Sequence, residues 1–362
     1  MIARDKTINA WQTGIMLFIL MFANKILILP SLLYEGAGLE SFIIPIVSSV
    51  LELGVLFVFY MFKKKFPNES FFLVLKKKIG FVAVCIAAIM LMIYFLGKAI
   101  LLYNVTFIFF QNVIYKKGSN FLFLICFLPI INHLVCLGLR SMARSMQLFF
   151  PVILVLTVFC ITVGCFGIKG EPLFFESSPM QLAFTGFQHI SAFGDVIFLF
   201  VIMDKIEIKK GDWKIIFSFT TFALLLVVVI TTIFVFSYTY TAFMHPFALF
   251  EIMNYVKEVG GTGRIDILSM VLIILMAYFQ LAIYLKGFAQ SFNAVFWKAG
   301  KIYSILSFNI LFFIMISYVV LNLEYAVFYG ENILPYVTIS TIVLLILICA
   351  LCCFIRVGRK KV

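Results

Sequence analysis

The sequence predicts an all-α polytopic membrane protein in which ten transmembrane helices form two inverted repeats of five. Hydrophobic residues make up 64% of the 362 residues, and charged residues make up only 12%. Soluble domains are about half apolar and about 25% charged, so the composition excludes a soluble class. Two further observations support the prediction: the length of the apolar runs, and an interruption in the first helix of each half.

The apolar runs are long enough to cross a bilayer. A hydrocarbon core of about 30 Å needs about 20 helical residues. The runs are also continuous, whereas the strands of a membrane barrel alternate apolar and polar residues. We treat residues 1–362 as one transmembrane domain, with repeat one at about 9–168 and repeat two at about 184–355. The ten predicted helices are 9–34, 40–62, 81–113, 120–139, 147–168, 184–204, 215–238, 266–287, 303–323 and 335–355.

The basic residues fall mostly on one side of the predicted bundle. The formal net charge is +12, from 28 Lys and Arg against 16 Asp and Glu. If ten helices alternate in direction, 21 of those 28 lie on the side of both termini and 5 on the other side, with Lys25 and Lys98 inside helices. The positive-inside rule then predicts cytoplasmic N- and C-termini. The basic balance therefore indicates topology, and we expect no nucleic-acid partner.

Two of the predicted helices are interrupted at membrane depth. Run 9–34 contains Ala23-Asn24-Lys25 and then Pro30, and run 184–204 contains Ser191 to Asp195. Charges and helix breakers in the bilayer are costly unless they line a site. In secondary transporters, broken helices at corresponding positions of two repeats mark the binding site near the midplane. Because each half has five helices, the second half is inverted, and both breaks fall in the first helix of a half.

Four ionisable residues, Lys25, Glu52, Lys98 and Asp195, lie near the predicted midplane. Each costs on the order of 2.5–3.5 kcal/mol at a helix centre, so we expect an intramembrane charge network in which they neutralise one another. For Lys25 and Asp195 two interpretations stay open. They form ion pairs that fix helix packing, or Lys25 binds a ligand carboxylate or replaces a coupling cation while Asp195 contacts a ligand amine or carries a proton. For Glu52 and Lys98 the packing interpretation is favoured, because no helix breaker adjoins them.

Aromatic and small residues near the breaks complete the predicted ligand pocket, although aromatic residues in so apolar a chain usually serve packing. The predicted ligand-binding set is Ala23, Asn24, Lys25, Tyr103, Phe187, Phe193, Gly194, Asp195 and Tyr278. The eight cysteines lie within or at the ends of predicted spans and are interpreted as apolar filler. The sequence contains no catalytic or metal-binding constellation. We therefore expect no enzyme activity, no metal and no cofactor.

Four short motifs carry a resemblance to a known family. In chain order they are Leu29-Pro30 at the end of span one, Gly138 to Arg144 followed by Pro151 in span five, Phe193-Gly194-Asp195 in span six, and Pro246 with Arg264-Ile265-Asp266 before span eight. Their order and spacing resemble the spore germination receptor B-subunit family, the endospore germination permeases. These belong with the amino acid–polyamine–cation transporters, so the resemblance implies a LeuT-like fold.

The resemblance also implies a function. It implies a permease-like subunit that senses a germinant, an amino acid or similar small solute, together with A-type and C-type partner subunits. The implied location is the inner membrane of a spore or the cell membrane of a spore-forming bacterium. Two alternatives are a stand-alone proton-coupled amino acid transporter and a scaffold subunit with a degenerate ligand site. The scaffold stays open because the chain has Ala23 and Lys25 where the family has Gly-x-Gly before the Leu-Pro of span one. A second departure from the family pattern is Arg140, which replaces a glutamate in a loop predicted to be cytoplasmic.

Overall fold

The chain folds into a bundle of α-helices. The computed structural model describes residues 7–23, 25–115, 119–168, 177–209, 211–260, 266–296, 300–319 and 323–355, and in these the only extended pairing is one bridge between Ile8 and Ile206. The helices are α1 Ala10–Phe22, α2 Leu29–Ala37, α3 Ile43–Lys65, α4 Phe71–Lys78, α5 Phe81–Phe109, α6 Asn120–Leu137, α7 Leu139–Cys165, α8 Pro179–Gln188, α9 Ile197–Val201, α10 Trp213–Tyr238, α11 Ala248–Gly260, α12 Asp266–Val295, α13 Lys301–Val319, α14 Leu323–Asn332 and α15 Leu334–Phe354.

The helices have the length and hydropathy of a multi-pass membrane protein. Among the described residues, seven segments are long and apolar enough to span a bilayer. They are Leu29–Lys65, Phe81–Ile114, Asn120–Leu137, Leu139–Cys165, Trp213–Met244, Asp266–Val295 and Phe328–Phe354. Two shorter apolar helices, Ala10–Phe22 and Lys301–Ser317, fall below that length. At about 1.5 Å per residue, the 13 residues of α1 reach only about 20 Å.

The first apolar run is divided between α1 and α2. Asn9 caps the N-terminus of α1, where its Oδ1 accepts a hydrogen bond from the backbone N–H of Gln12 at 2.8 Å. The helix ends at Phe22, and α2 begins seven residues later at Leu29 with Pro30 in its first turn. Proline is favoured there because the first N–H groups of a helix have no intrahelical partner. Pro30 therefore starts the second half-helix, and the break precedes it.

The sixth apolar run is divided between α8 and α9. Ser178 caps α8, and its hydroxyl accepts a hydrogen bond from the N–H of Gln181 at 3.2 Å. After α8 the chain makes one 3₁₀ turn over Ile190–Ala192, then runs without helix through Phe193 to Asp195 before α9 begins. Unwound backbone leaves N–H and C=O groups without helical partners, so side chains must satisfy them.

The centre of the bundle is formed by α5 and α12, which approach each other closely. A Cβ placed on Gly287 of α12 would lie 2.8 Å from the ring of Phe95 on α5, so only glycine admits this ring. In the same way, Gly14 of α1 faces the ring of Phe219 on α10, at 2.7 Å from an added Cβ. Both broken runs pack around this centre, and their interruptions therefore lie deep in the protein.

Lysines join helix ends at one end of the bundle, which we call the basic face. Lys63, at the end of α3, donates a hydrogen bond to the carbonyl of Met203 at 2.7 Å. Lys78, at the end of α4, donates to the carbonyl of Ile355 at 2.7 Å. Ile355 caps the C-terminal end of α15, where the partial negative charge of the helix stabilises an ammonium group.

Candidate functional site

The two helix breaks meet at an ion pair. Lys25 lies in the interruption between α1 and α2, and Asp195 lies in the interruption before α9. The Lys25 Nζ donates a hydrogen bond to the Asp195 Oδ2 at 2.8 Å. The pair joins the two half-helix junctions directly across 170 residues of sequence.

Each carboxylate oxygen of Asp195 has its own lysine. Lys98, which α5 supplies, lies 2.9 Å from Asp195 Oδ1 and also donates to the carbonyl oxygen of Phe193 at 3.1 Å. Glu52, on α3, completes the group: its Oε1 accepts from the backbone N–H of Asp195 at 2.8 Å, and its Oε2 lies 3.4 Å from Lys25 Nζ. Lys25, Glu52, Lys98 and Asp195 together form what we call the charge cluster.

The charge cluster is closed to solvent and formally neutral. Lys25 is 1% exposed, Glu52 and Lys98 are 0% exposed, and Asp195 is 2% exposed. Two lysines and two carboxylates sum to zero charge. In a medium of low dielectric constant an unpaired charge is strongly destabilising, so each charged side chain of the cluster is stabilised by the opposite charges beside it. The cluster is therefore an electrostatic unit.

Two tyrosines and a glutamine hold the second broken helix in place. The Tyr284 hydroxyl donates to Asp195 Oδ1 at 3.1 Å and accepts from the Gln280 Nε2 at 2.7 Å. Gln280 also donates to the carbonyl of Leu20 at 2.9 Å, which connects α12 to α1. The Tyr94 hydroxyl donates to the carbonyl of Gly194 at 3.0 Å. These contacts fix both the carboxylate and the unwound backbone beside it.

The ligand-binding set predicted from the sequence does not include Tyr94 or Tyr284. A signal for them exists in the spacing. Tyr94 lies four residues before Lys98 on α5, and Tyr284 lies four residues after Gln280 on α12. Residues four apart lie on the same face of a helix, so Tyr94 shares a face with Lys98 and Tyr284 shares a face with Gln280. Both of these faces are turned toward Asp195.

The backbone at Gly194 has a conformation that favours glycine. Its φ is +90°, and a Cβ added there would lie 3.2 Å from the Cγ2 of Thr338 and 3.5 Å from the hydroxyl of Tyr94. Residues other than glycine rarely adopt positive φ. The ring of the preceding residue, Phe193, has its centroid 5.0 Å from Lys25 Nζ, a cation–π distance. Phe193, Gly194 and Asp195 therefore each contribute a different contact to the site.

Three buried acceptor atoms close to these contacts have no hydrogen-bond partner among the described residues. They are Glu52 Oε2, which has only the 3.4 Å ion pair with Lys25, together with Gln280 Oε1 and Thr338 Oγ1. Buried polar atoms are nearly always hydrogen-bonded, and those that are not point to function, to a bound ion or to water. The site therefore retains acceptor capacity for a donor group.

The structure places the other predicted ligand-binding residues in different surroundings. Ala23 is buried at the end of α1, whereas Asn24 lies outside the described residues. Phe187 is 38% exposed, and its ring contacts Tyr336 with centroids 5.5 Å apart. Ala23 and Phe187 flank the breaks but make no described contact with the charge cluster.

Tyr103 and Tyr278 face α6 and not the breaks. The Tyr103 hydroxyl donates to the side-chain oxygen of Asn120 at 2.6 Å. The Tyr278 ring stacks on Phe127 with centroids 3.9 Å apart, and it lines an apolar cavity of about 270 Å³. A ligand contact by either tyrosine stays a prediction, and it would be made away from Asp195.

Comparison with known proteins agrees with the resemblance seen in the sequence motifs. A family model described as spore germination protein matches residues 7–326, which confirms that resemblance. No curated protein sequence matches the chain. Two solved transporters share the fold.

The first of these structures is a nucleobase-cation-symport-1 family transporter in a closed conformation with bromovinylhydantoin bound. Its TM-score is 0.61 at 13% identity, covering 90% of this chain and 75% of that one. The second is a Na⁺-coupled sialic acid symporter in a substrate-bound outward-open state, with a TM-score of 0.57 at 13% identity, covering 92% of this chain and 74% of that one. At such low identity the likeness shows the fold alone, which is that of LeuT-type transporters.

Proposed function

The chain belongs to the spore germination protein family, and from that membership we propose that it is the permease-like, nutrient-sensing subunit of a spore germination receptor. The nutrient would be an amino acid or a similar small solute bound near the bilayer midplane. An A-type membrane subunit and a C-type lipoprotein would be its partners in the receptor.

One observation carries the proposal: both half-helix junctions meet at the charge cluster, beside acceptor atoms that have no described partner. An ammonium donor on a solute would satisfy Gln280 Oε1 or Thr338 Oγ1. In this proposal Asp195 contacts a ligand amine or carries a proton, and Lys25 is the counter-ion for a ligand carboxylate or stands in place of a coupling cation. Glu52 and Lys98 balance the charge of that pair.

We further propose the topology that such a subunit requires. Ten spans would form two inverted repeats, about 9–168 and about 184–355, within one domain that covers residues 1–362. The described helices support this count if α1 with α2, and α8 with α9, are each one interrupted span. The basic face would lie in the cytoplasm with both termini, because positive charge concentrates there. The membrane would be the inner membrane of a spore or the cell membrane of a spore-forming bacterium.

A second candidate is a scaffold subunit whose ligand site has degenerated. It is favoured by one observation, namely that the Lys25 ammonium already lies against both carboxylates, at 2.8 Å from Asp195 and 3.4 Å from Glu52. A ligand amine would have to compete with that internal ammonium. A stand-alone proton-coupled amino acid transporter is the third possibility, and only a test of net transport distinguishes it.

Thermal unfolding of the purified chain with a panel of amino acids, nucleosides and sugars tests the proposal. A ligand at about 100 times its dissociation constant adds roughly 2.7 kcal/mol of stability. The informative variant is Thr338→Val, because the Thr338 hydroxyl has no described hydrogen bond to lose. The matched control is Thr341→Val on the same helix, whose hydroxyl donates to the carbonyl of Val337 at 2.7 Å.

We expect one class of compound to raise the midpoint, and we expect Thr338→Val to reduce that rise while Thr341→Val keeps it. A rise unaffected by Thr338→Val would exclude a ligand contact with the Thr338 hydroxyl and leave Gln280 Oε1 as the acceptor to test next. If no compound stabilises the chain, the scaffold role replaces the sensor role. Uptake of the same compound into proteoliposomes then separates the remaining pair, since a transporter accumulates it and a sensor does not.

A further inference from the structure

A second cavity lies at the basic face, apart from the charge cluster. It has a volume of about 640 Å³, within the range of about 300–1,000 Å³ that is typical of small-molecule pockets. Four lysines and one aspartate line it. We call it the basic cavity and define it by Lys76, Lys205, Lys286, Lys301, Asp204 and Gln290.

The lining of the basic cavity is rich in basic groups. Among the described residues that line it, four are lysines and one, the exposed Asp204, carries a carboxylate. Lys286 is only 4% exposed, so this charge is held away from bulk water. Lys301 donates one hydrogen bond to the carbonyl of Cys136 at 2.6 Å, and an ammonium group has three donors, so donor capacity is left for an anion.

One face of α12 supplies a polar row to the basic cavity. Lys286, Gln290 and Asn293 follow one another at spacings of four and three residues, so they lie on the same side of the helix. Ala289 and Ala294 beside them are small and leave space. Gln290, in the amide orientation that satisfies both of its polar atoms, accepts from Lys205 Nζ at 3.0 Å. The polar row of α12 therefore fixes the position of the Lys205 ammonium group.

Part of the wall of the basic cavity is apolar. It is formed by Phe72 and Leu73 of the short helix α4 and by Phe81 at the start of α5, whose ring centroid lies 5.9 Å from the Lys76 Nζ. Leu73 is 41% exposed and Phe81 is 52% exposed, as expected for side chains that face lipid acyl chains. A binder that contacts both the lysines and these apolar side chains must carry a negative group and a hydrocarbon part.

We propose that the basic cavity binds a phosphate-bearing anion, and that an anionic glycerophospholipid is the source that its apolar wall fits. Basic pockets between transmembrane helices at the cytoplasmic surface bind lipid headgroups in this way, and each lysine near the surface contributes about 1 kcal/mol. The phosphate would accept hydrogen bonds from the lysines while the acyl chains lie along Phe72 and Phe81. Soluble phosphate is the other source of the same chemistry.

The test is a titration of the detergent-purified full chain, read by native mass spectrometry. Phosphatidylglycerol is compared with phosphatidylcholine of the same acyl chains, and inorganic phosphate is added as a competitor. The variants are Lys76→Gln and Lys205→Gln, at positions that are exposed or half-buried and therefore tolerate the change. The control is Lys77→Gln, which removes the same charge from the neighbouring residue of α4, outside the cavity.

We expect saturable binding of phosphatidylglycerol in preference to phosphatidylcholine, weakened about fivefold by each cavity variant and about 25-fold by the pair. Lys77→Gln should leave the affinity within about twofold. Displacement by inorganic phosphate would support the site with soluble phosphate as its ligand, and resistance to displacement would support the lipid. Equal binding of both lipids, or equal weakening by Lys76→Gln and Lys77→Gln, would overturn the proposal.

Because the basic cavity and the charge cluster use different side chains, the two proposals fail separately. Thr338→Val, which tests the solute site, should not change lipid affinity. Lys76→Gln should likewise leave any solute-induced rise in the unfolding midpoint unchanged.

Discussion

The ion pair between Lys98 and Asp195 offers a quantitative test of the charge cluster. The perturbations are Lys98→Met, Asp195→Asn and the two together. The first single variant leaves the cluster with a net charge of −1 and the second leaves it at +1. The double variant returns it to zero, because Lys25 and Glu52 still balance each other at 3.4 Å.

The magnitude follows from the geometry. At an effective dielectric constant of about 20, two unit charges 2.9 Å apart attract by roughly 6 kcal/mol. Removing one partner of a buried pair costs about 3–5 kcal/mol, because the other charge is left uncompensated. We therefore expect each single variant to lower the free energy of unfolding by about 3–5 kcal/mol. The loss in the double variant should be smaller than the sum of the two single losses by at least about 3 kcal/mol.

The assay is thermal unfolding in detergent, followed by intrinsic fluorescence. At about 2 °C per kcal/mol, the low end of the range for large domains, each single variant should lower the midpoint by about 6–10 °C. The unfolding midpoint of the double variant should lie at least about 6 °C above the value predicted by adding the two single losses. Lys77→Gln is the control, since its pair with Glu69 is exposed and exposed pairs contribute about 0–1 kcal/mol. Additive midpoint losses would refute the reasoning that the cluster acts as one neutral unit.

Two glycines give further predictions, each read from the same unfolding midpoint. Gly194→Ala should lower the free energy of unfolding by about 1–3 kcal/mol, because its φ of +90° disfavours any side chain and the added Cβ meets Thr338. Gly54→Ala is the control and should be neutral or stabilising, because its added Cβ meets nothing within 4 Å. Equal midpoints for the two variants would contradict this prediction. Gly14→Ala should cost about 1–3 kcal/mol because its Cβ would lie 2.7 Å from the ring of Phe219, and a midpoint equal to that of the unaltered chain would show that the ring moves freely.

The sequence alone was sufficient for the class of the protein and for the position of the helix breaks. Hydropathy, span length and helix-breaking residues are properties of a local stretch of chain, and they act wherever that stretch is inserted. The buried charges near the midplane, from Lys25 to Asp195, also had to neutralise one another, because the cost of an unpaired charge in the bilayer does not depend on the fold. The motifs around Gly138 and Phe193 further indicated the family, which the family model confirms.

Tertiary structure decided which groups meet. Tyr94 and Tyr284 contact the second broken helix, whereas Tyr103 and Tyr278 face α6, although all four are tyrosines on apolar helices. The sequence does not separate them, because the rotation of a helix about its axis depends on how its neighbours pack against it. The basic cavity likewise collects lysines from four distant segments, between positions 76 and 301. The count of basic residues along the sequence assigned these lysines to one side of the membrane. The packing of the helices then determined that they line a single cavity.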